Sequence, residues 1–304
     1  MAERAHRWRW LGAVLLLCGM AVAASASPLK RVVANGAEFH YVESGTGEPL
    51  ILLHGGQGDY RSMAAQAEAL SKRYRVIAYS RRYHYPNDNA LPATYRSGYA
   101  DAEDLAAIVQ ALELGRVHLV GTSAGALTAL LYAVEQPARV RSLVLAEPPI
   151  HHWASQDPAG SPLYDAFMAK VWVPAGQAFA RDDAVAGMRI LVDGFAGAPR
   201  FGALSPAARA VALQNARFFQ AATASRDPFP AVDLRRVSRL RMPILLVSGE
   251  RTVPLHRFVN AELARVLPRA KTVTIAGAGH GAAREQPEAF NAAVVGFLSR
   301  LPER

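Results

Sequence analysis

From about residue 31 onward, short continuously apolar runs alternate with stretches whose apolar positions recur every three or four residues. That alternation predicts strands and helices in turn. Arg31-Val32-Val33 and Phe39-His40-Tyr41-Val42 form an expected hairpin turning at Asn35-Gly36. Leu50-Ile51-Leu52-Leu53 is apolar without a break, as a strand covered on both faces should be. A helix from Ser62 to Lys72 and the strand Arg75-Val76-Ile77-Ala78-Tyr79 follow. Next comes a helix from about Ser97 to Leu114, with Ala102, Leu105, Ile108, Val109 and Leu112 at helical spacing. Val117-His118-Leu119-Val120 and Ser142-Leu143-Val144-Leu145-Ala146 read as two more strands, with an apolar helix between them. This is the rhythm of an α/β fold with a doubly wound, mostly parallel sheet.

The rhythm stops after Glu147-Pro148-Pro149. From 150 to 239 no run of buried strands is visible; Pro and Gly interrupt a helical pattern rich in large apolar side chains, among them Trp153, Trp172, Phe195, Phe218 and Phe219. Strand character returns at Pro243-Ile244-Leu245-Leu246-Val247-Ser248. A helix from Leu255 to Leu267, the strand Lys271 to Ile275 and a last helix from about Pro287 to Leu301 complete the pattern. The expected organisation is therefore a core of residues 27–149 and 240–304 with a helical cap, 150–239, inserted above the C-terminal edge of the sheet. Ordinary helical packing within the core is the competing reading.

Residues 1–26 stand apart from this scheme. Arg4, Arg7 and Arg9 precede an apolar run from Leu11 to Ala24, and Ala24-Ser25-Ala26 offers small residues for cleavage. A signal peptide and an exported mature chain, periplasmic or secreted, are expected. An uncleaved N-terminal anchor is the alternative. Cys18 is the only cysteine and falls in the apolar run, so the mature chain would hold no disulfide, thiol nucleophile or cysteine-based metal site.

Composition changes this picture little. At 304 residues, half of them apolar, the chain is long enough to bury a large core without disulfides. The formal charge of +9 falls to about +7 once Arg4, Arg7, Arg9 and Glu3 are set aside. The arginines are scattered, clustering only at Arg81-Arg82 and Arg235-Arg236, where a nucleic-acid binder would gather them on one stripe. No nucleic-acid partner is expected. The expected partner is a small-molecule substrate.

The chemistry is carried by Gly121-Thr122-Ser123-Ala124-Gly125, set between an apolar strand and an apolar helix. A serine on such a strand-turn-helix is held in a strained conformation with its hydroxyl pushed above the sheet edge. It needs a base. His280, in Gly277-Ala278-Gly279-His280-Gly281 after the last apolar strand, is the best candidate. His54-Gly55-Gly56-Gln57-Gly58 follows another strand, and glycines there let amides face a developing oxyanion. The expected donors are Gly56 and Ala124, with Gln57 in reserve.

With these motifs the chain resembles the α/β-hydrolases from about residue 31 to its end. The likeness rests on His54-Gly55-Gly56, the Ser123 pentapeptide, Pro243 to Gly249, and Gly279-His280 with Glu285-Gln286-Pro287-Glu288-Ala289-Phe290. Many members carry an aspartate where this chain has Thr252, in Gly249-Glu250-Arg251-Thr252. Three explanations stay open: Glu250 serves from two residues earlier, the acid is missing, or Glu147 supplies it. Glu147 ends the strand beside the nucleophile, and neighbouring strand tips lie about 5 Å apart. Haloalkane dehalogenases and zearalenone-type lactonases resemble this placement. Glu147 is the preferred acid and Glu250 the reserve.

The loop Ser80-Arg81-Arg82-Tyr83-His84-Tyr85-Pro86-Asn87 has aromatics where related hydrolases often have glycines. His84 is a candidate substrate contact, with a packed or solvated histidine as the competing reading. His151-His152-Trp153 opens the cap and would border the pocket, Trp153 being the candidate contact. Adjacent histidines are poor metal-ligand spacing, and neither a metal nor an organic cofactor is expected.

The resemblance implies a serine hydrolase cleaving a carboxylic ester or lactone of a small, largely apolar substrate through Ser123, His280 and Glu147. The same machinery serves amide, thioester, C–C and peracid chemistry. The alternative is a weakly catalytic or purely ligand-binding protein on a hydrolase scaffold, which Thr252 keeps open.

Overall fold

The computed structural model describes residues 27–91, 95 and 98–302. The expected signal peptide, or the uncleaved anchor that is its alternative, falls on residues 1–26, outside the described residues. Among the described residues, no helix is long and apolar enough to cross a membrane.

Eight strands form one sheet: β1 (Lys30–Ala34), β2 (Ala37–Ser44), β3 (Glu48–Leu53), β4 (Tyr74–Tyr79), β5 (Val117–Thr122), β6 (Val140–Ala146), β7 (Ile244–Gly249) and β8 (Lys271–Ile275). Their order across the sheet is β1-β2-β4-β3-β5-β6-β7-β8. β2 pairs antiparallel with both β1 and β4, and every pairing from β4 to β8 is parallel. Asn35 and Gly36, both at positive φ, make the β1–β2 turn, a conformation that favours these two residue types.

The uninterrupted apolar runs follow from burial on both faces. In β3, Leu50 and Leu52 pack on one side with Leu70, Phe290 and Val294. Ile51 and Leu53 pack on the other with Leu105, Leu130 and Leu143. The first side carries α1 (Ala64–Leu70) and, near the C-terminus, α12 (Ala282–Glu285) and α13 (Pro287–Leu298). The second carries α2 (Tyr99–Ala111) and α3 (Ala124–Glu135). Two covered faces favour apolar side chains at both alternating sets of positions, and the buried polar pair in β5 and β6, His118 and Ser142, answer each other at 2.8 Å.

Between β6 and β7 the chain is helical: α4 (His151–Ser155), α5 (Ser161–Phe167), α6 (Val173–Phe179), α7 (Ala184–Ala196), α8 (Pro206–Gln214), α9 (Ala216–Ala224) and α10 (Leu234–Ser238). A π-helical turn, Met168–Trp172, joins α5 to α6. Pro174 lies two residues after it, in the first turn of α6; proline has no N–H to give and crowds the carbonyl four residues back, and the wider turn relieves both problems. After β7 comes α11 (Pro254–Val266), whose buried face is Leu255, His256, Val259, Asn260 and Leu263.

Candidate active site

Parallel register places the candidate residues at neighbouring strand tips. Thr122 of β5 lies beside Ala146 of β6, and Ala146 beside Val247 of β7. The next residues, Ser123 and Glu147, therefore emerge side by side at the C-terminal edge. Both hold positive φ, 50° and 49°, a conformation costly for side chains with a Cβ. The surroundings impose it: Ser123 N–H donates to the Ala146 carbonyl at 2.7 Å, tying one tip to the other. The sharp reversal at Ser123 needs its two flanking glycines. A Cβ on Gly121 would lie 2.6 Å from the Gly125 carbonyl oxygen, and one on Gly125 would lie 2.3 Å from that of Leu53.

His280 comes from the loop after β8 and joins the two. Its Nε2 is 2.9 Å from Ser123 Oγ, and its Nδ1 is 2.7 Å from Glu147 Oε2. Glu147 is buried and held from two further directions: Gly249 N–H donates to Oε1 at 2.8 Å and Thr252 Oγ1–H donates to Oε2 at 2.7 Å. The threonine in the usual aspartate position is thus a hydrogen-bond donor to a carboxylate on the adjacent strand. This arrangement can carry a proton from the serine hydroxyl to imidazole, with the carboxylate fixing the tautomer and supporting the cation.

Glu250, the reserve acid, is not part of this line. β7 ends at Gly249, and the Glu250 side chain leaves the turn toward solvent, where its Oε2 accepts from Gly277 N–H at 2.8 Å.

Gly56 and Gln57 line the cavity beside Ser123, together with Ala124. Ala124 is the first helical residue of α3, so its amide has no acceptor within its own helix. The Gly56 loop is shaped by His54, a residue the sequence reading left without a role. Its Nδ1 lies 2.8 Å from the Gly55 carbonyl, and its Nε2 accepts from Arg81 N–H at 3.0 Å. Burial first, then the Arg81 charge, pushes its pKa down to about 3, so it remains neutral.

Two expected contacts lie elsewhere. His84 is fully buried behind the loop: its ring packs between His54 and Phe218, and its Nε2 is 3.2 Å from the Gly56 carbonyl. It supports the loop and does not reach the cavity. Trp153 faces the core, donating its indole N–H to the Val232 carbonyl at 2.8 Å. His84 lies in an irregular loop and Trp153 on a helix of only five residues, so no periodicity tells inward-facing from pocket-facing side chains there.

The cavity of ≈130 Å³ is closed by Trp172, Phe195, Phe218, Phe219 and Phe229 from the segment between β6 and β7. His151 and His256 also line it. His256 is the residue that sequence reasoning missed, because on α11 it falls within a face that reads as core. Its ring lies 4.0 Å from that of His280, centroid to centroid, at 31°. Glu147, His256 and His280 have candidate ligand atoms within 4.8 Å of one another. They do not fit a metal ion: the two rings overlap, so their in-plane lone pairs do not converge, and both Glu147 oxygens already accept hydrogen bonds.

Comparison with known proteins gives the same frame. The model of the alpha/beta hydrolase fold family matches residues 48–287. A 2-hydroxy-6-oxononadienedioate/2-hydroxy-6-oxononatrienedioate hydrolase of Burkholderia vietnamiensis is 28% identical over 293 residues, covering 91% of this chain and 96% of the relative. A solved N-acyl homoserine lactone degrading enzyme is 26% identical with a TM-score of 0.70, covering 88% of this chain and 100% of its own. The carboxylesterase CesB of Bacillus subtilis has a TM-score of 0.69 at 21% identity, covering 90% and 92%, and shares the fold.

Proposed function

Because the chain belongs to the alpha/beta hydrolase fold family, we propose that it is a serine hydrolase cleaving a carboxylic ester or lactone of a small, largely apolar substrate. The observation that carries this reading is the hydrogen-bonded line from Ser123 Oγ through His280 to Glu147. Ser123 attacks the substrate carbonyl while its proton passes to His280 Nε2. The amides of Gly56 and Ala124 stabilise the oxyanion. Collapse of the tetrahedral intermediate breaks the ester bond, and His280 returns the proton to the leaving oxygen. Water, deprotonated by the same nitrogen, then releases the acid and restores Ser123. Glu147 keeps Nδ1 protonated and offsets the imidazolium charge.

The relatives support hydrolysis, and two of them, by name, act on a lactone or a carboxylic ester. The aromatic wall supports an apolar substrate. Thr252, the residue behind the binding-protein alternative, has an account here as a donor to Glu147. We further propose export, with the helical segment 150–239 acting as the cap. The basic, apolar and small-residue regions of 1–26 support export; a mature protein recovered with residue 1 as its N-terminus would refute cleavage.

The test of the enzyme reading is intact-mass analysis after treatment with a fluorophosphonate probe, which reports an activated serine whatever the substrate. One adduct on Ser123, absent in Ser123→Ala and slowed in Glu147→Gln, is expected. Well-folded protein that takes no adduct refutes it.

A further inference from the structure

The cavity wall contains two histidines with no evident structural purpose. His151 and His256 are both fully buried, and none of their four ring nitrogens has a hydrogen-bond partner among the described residues. Their rings stack with centroids 5.4 Å apart at 23°. His256 in turn overlaps His280. The histidines thus run from the reacting imidazole into the cavity that both of them line. A third unpaired buried donor, the indole N–H of Trp172, lines the same cavity.

Leaving a buried polar group unpaired costs about 1–3 kcal/mol. The neighbours of these rings are Phe167, Phe195 and Phe229. Phenylalanine at 151 or 256 would fill a similar volume in that setting without the cost. Imidazole differs from phenyl in offering one N–H donor and one lone pair when neutral. Those are the features a ligand oxygen uses.

Resting on the hydrolase reading above, we propose that His151 and His256 form a polar subsite for a second, uncharged oxygen of the substrate. The class is an ester or lactone bearing a hydroxyl, keto or ether oxygen near the scissile carbonyl. Geometry argues against an anionic group there. Glu147 Oε2 lies only 3.7 Å from His256 Nδ1, so a second carboxylate would face like charge in a buried setting. Burial holds both rings neutral, which agrees with an uncharged guest. Asp101, which also lines the cavity, is already paired with Arg81 at 2.8 Å.

Two pairs of esters of matched shape test this: 4-nitrophenyl 3-hydroxybutanoate against 3-methylbutanoate, and 3-hydroxybutyl butanoate against 3-methylbutyl butanoate. The first places the oxygen on the acyl half and the second on the alcohol half. With kcat/KM corrected for each ester's rate with hydroxide, the wild-type protein should prefer the hydroxylated member of at least one pair roughly tenfold or more. That preference should fall to near parity in His256→Phe and His151→Phe, provided melting curves and fluorophosphonate labelling show them folded and active at Ser123. Rescue by His256→Gln, which keeps a donor and an acceptor, would support the assignment. Parity of both pairs in a wild-type protein that labels at Ser123 overturns the subsite and leaves the hydrolase intact. A preference that survives in both folded phenylalanine variants also overturns it. Absence of labelling and of turnover refutes the hydrolase reading and the subsite with it.

Discussion

The strand tips and the wall above them treat polar groups in opposite ways. At the tips, Glu147 has a partner on each oxygen and His280 one on each nitrogen. In the wall, His151, His256 and Trp172 are buried with nitrogens that nothing among the described residues answers. A network with every member satisfied is rigid and specifies one geometry, whereas an unsatisfied buried group is a standing cost unless a ligand removes it. On the proposed reading, the tips carry the acyl-transfer chemistry and the wall selects the substrate.

Breaking the tips should produce the largest effects. Ser123→Ala removes the nucleophile and is expected to lower kcat by about 10⁴-fold or more, with no mass adduct from the fluorophosphonate probe. Glu147→Gln keeps the shape but not the charge, and a loss on the order of 10³–10⁴-fold in kcat is expected. Because Thr252 Oγ1 sits 2.7 Å from Glu147 Oε2, an aspartate at 252 would bring a carboxylate to almost the same place. Adding Thr252→Asp to Glu147→Gln should recover at least roughly tenfold of the loss by restoring the charge beside His280. Thr252→Asp alone should instead be destabilised, since two carboxylates would share one buried site. Glu250→Gln should leave kcat/KM unchanged. A large loss there, with normal melting, would move the acid assignment from Glu147 to the reserve, Glu250.

How much of this was open to sequence reading follows from how local each signal is. The strands of the sheet, the Ser123 turn and the His280 loop depend on consecutive residues, and the pattern located all of them. Glu147 required one non-local step, that parallel strand tips lie adjacent, and the register of β5, β6 and β7 supplies it. Thr252 required two. Its hydroxyl meets Glu147 only because β6 and β7 pair and the turn after Gly249 folds back, so charge alone was the wrong criterion. Glu250, the reserve acid, and the candidate contacts His84 and Trp153 were hard to place for a shared reason: the first two lie in turns and Trp153 on a helix of only five residues, where side-chain direction follows from tertiary packing. His256 was concealed by the opposite circumstance, a regular helix face on which a histidine reads as core.

The wall makes its own prediction at equilibrium. Burial, assisted by the nearby His280, pushes the pKa of His151 down to about 3 from an ordinary 6.5, and His256 moves the same way. Above pH 6.5 both states of the protein hold these rings neutral. As pH falls below that value, the unfolded chain takes up protons that the folded His151 ring refuses until pH approaches 3 and that the buried His256 ring resists in the same direction. Stability is therefore full above about 6.5 and is lost progressively toward 3, by up to about 1.4 kcal/mol per pH unit for each such histidine. His54 adds to the same slope from beneath the Gly56 loop. Urea unfolding between pH 7 and pH 4 should show His151→Phe with a shallower pH dependence than the wild-type protein. Parallel slopes would mean that His151 titrates freely in the folded state.

The smallest expected effect sharpens the boundary between wall and core. Trp153 lies two residues from His151 on α4, yet its indole N–H is spent on the Val232 carbonyl and its ring is packed away from the cavity. Trp153→Phe should cost about 1 kcal/mol through the lost hydrogen bond, read as a lower urea midpoint. It should also leave kcat/KM and the preference between hydroxylated and methylated esters unchanged. His151→Phe should do the reverse at constant backbone position: no hydrogen bond to a described residue is lost, while the ester preference disappears. If Trp153→Phe altered the preference as strongly as His151→Phe, α4 would be acting as a unit on the cavity's shape, and the distinction between a polar subsite and general packing would collapse.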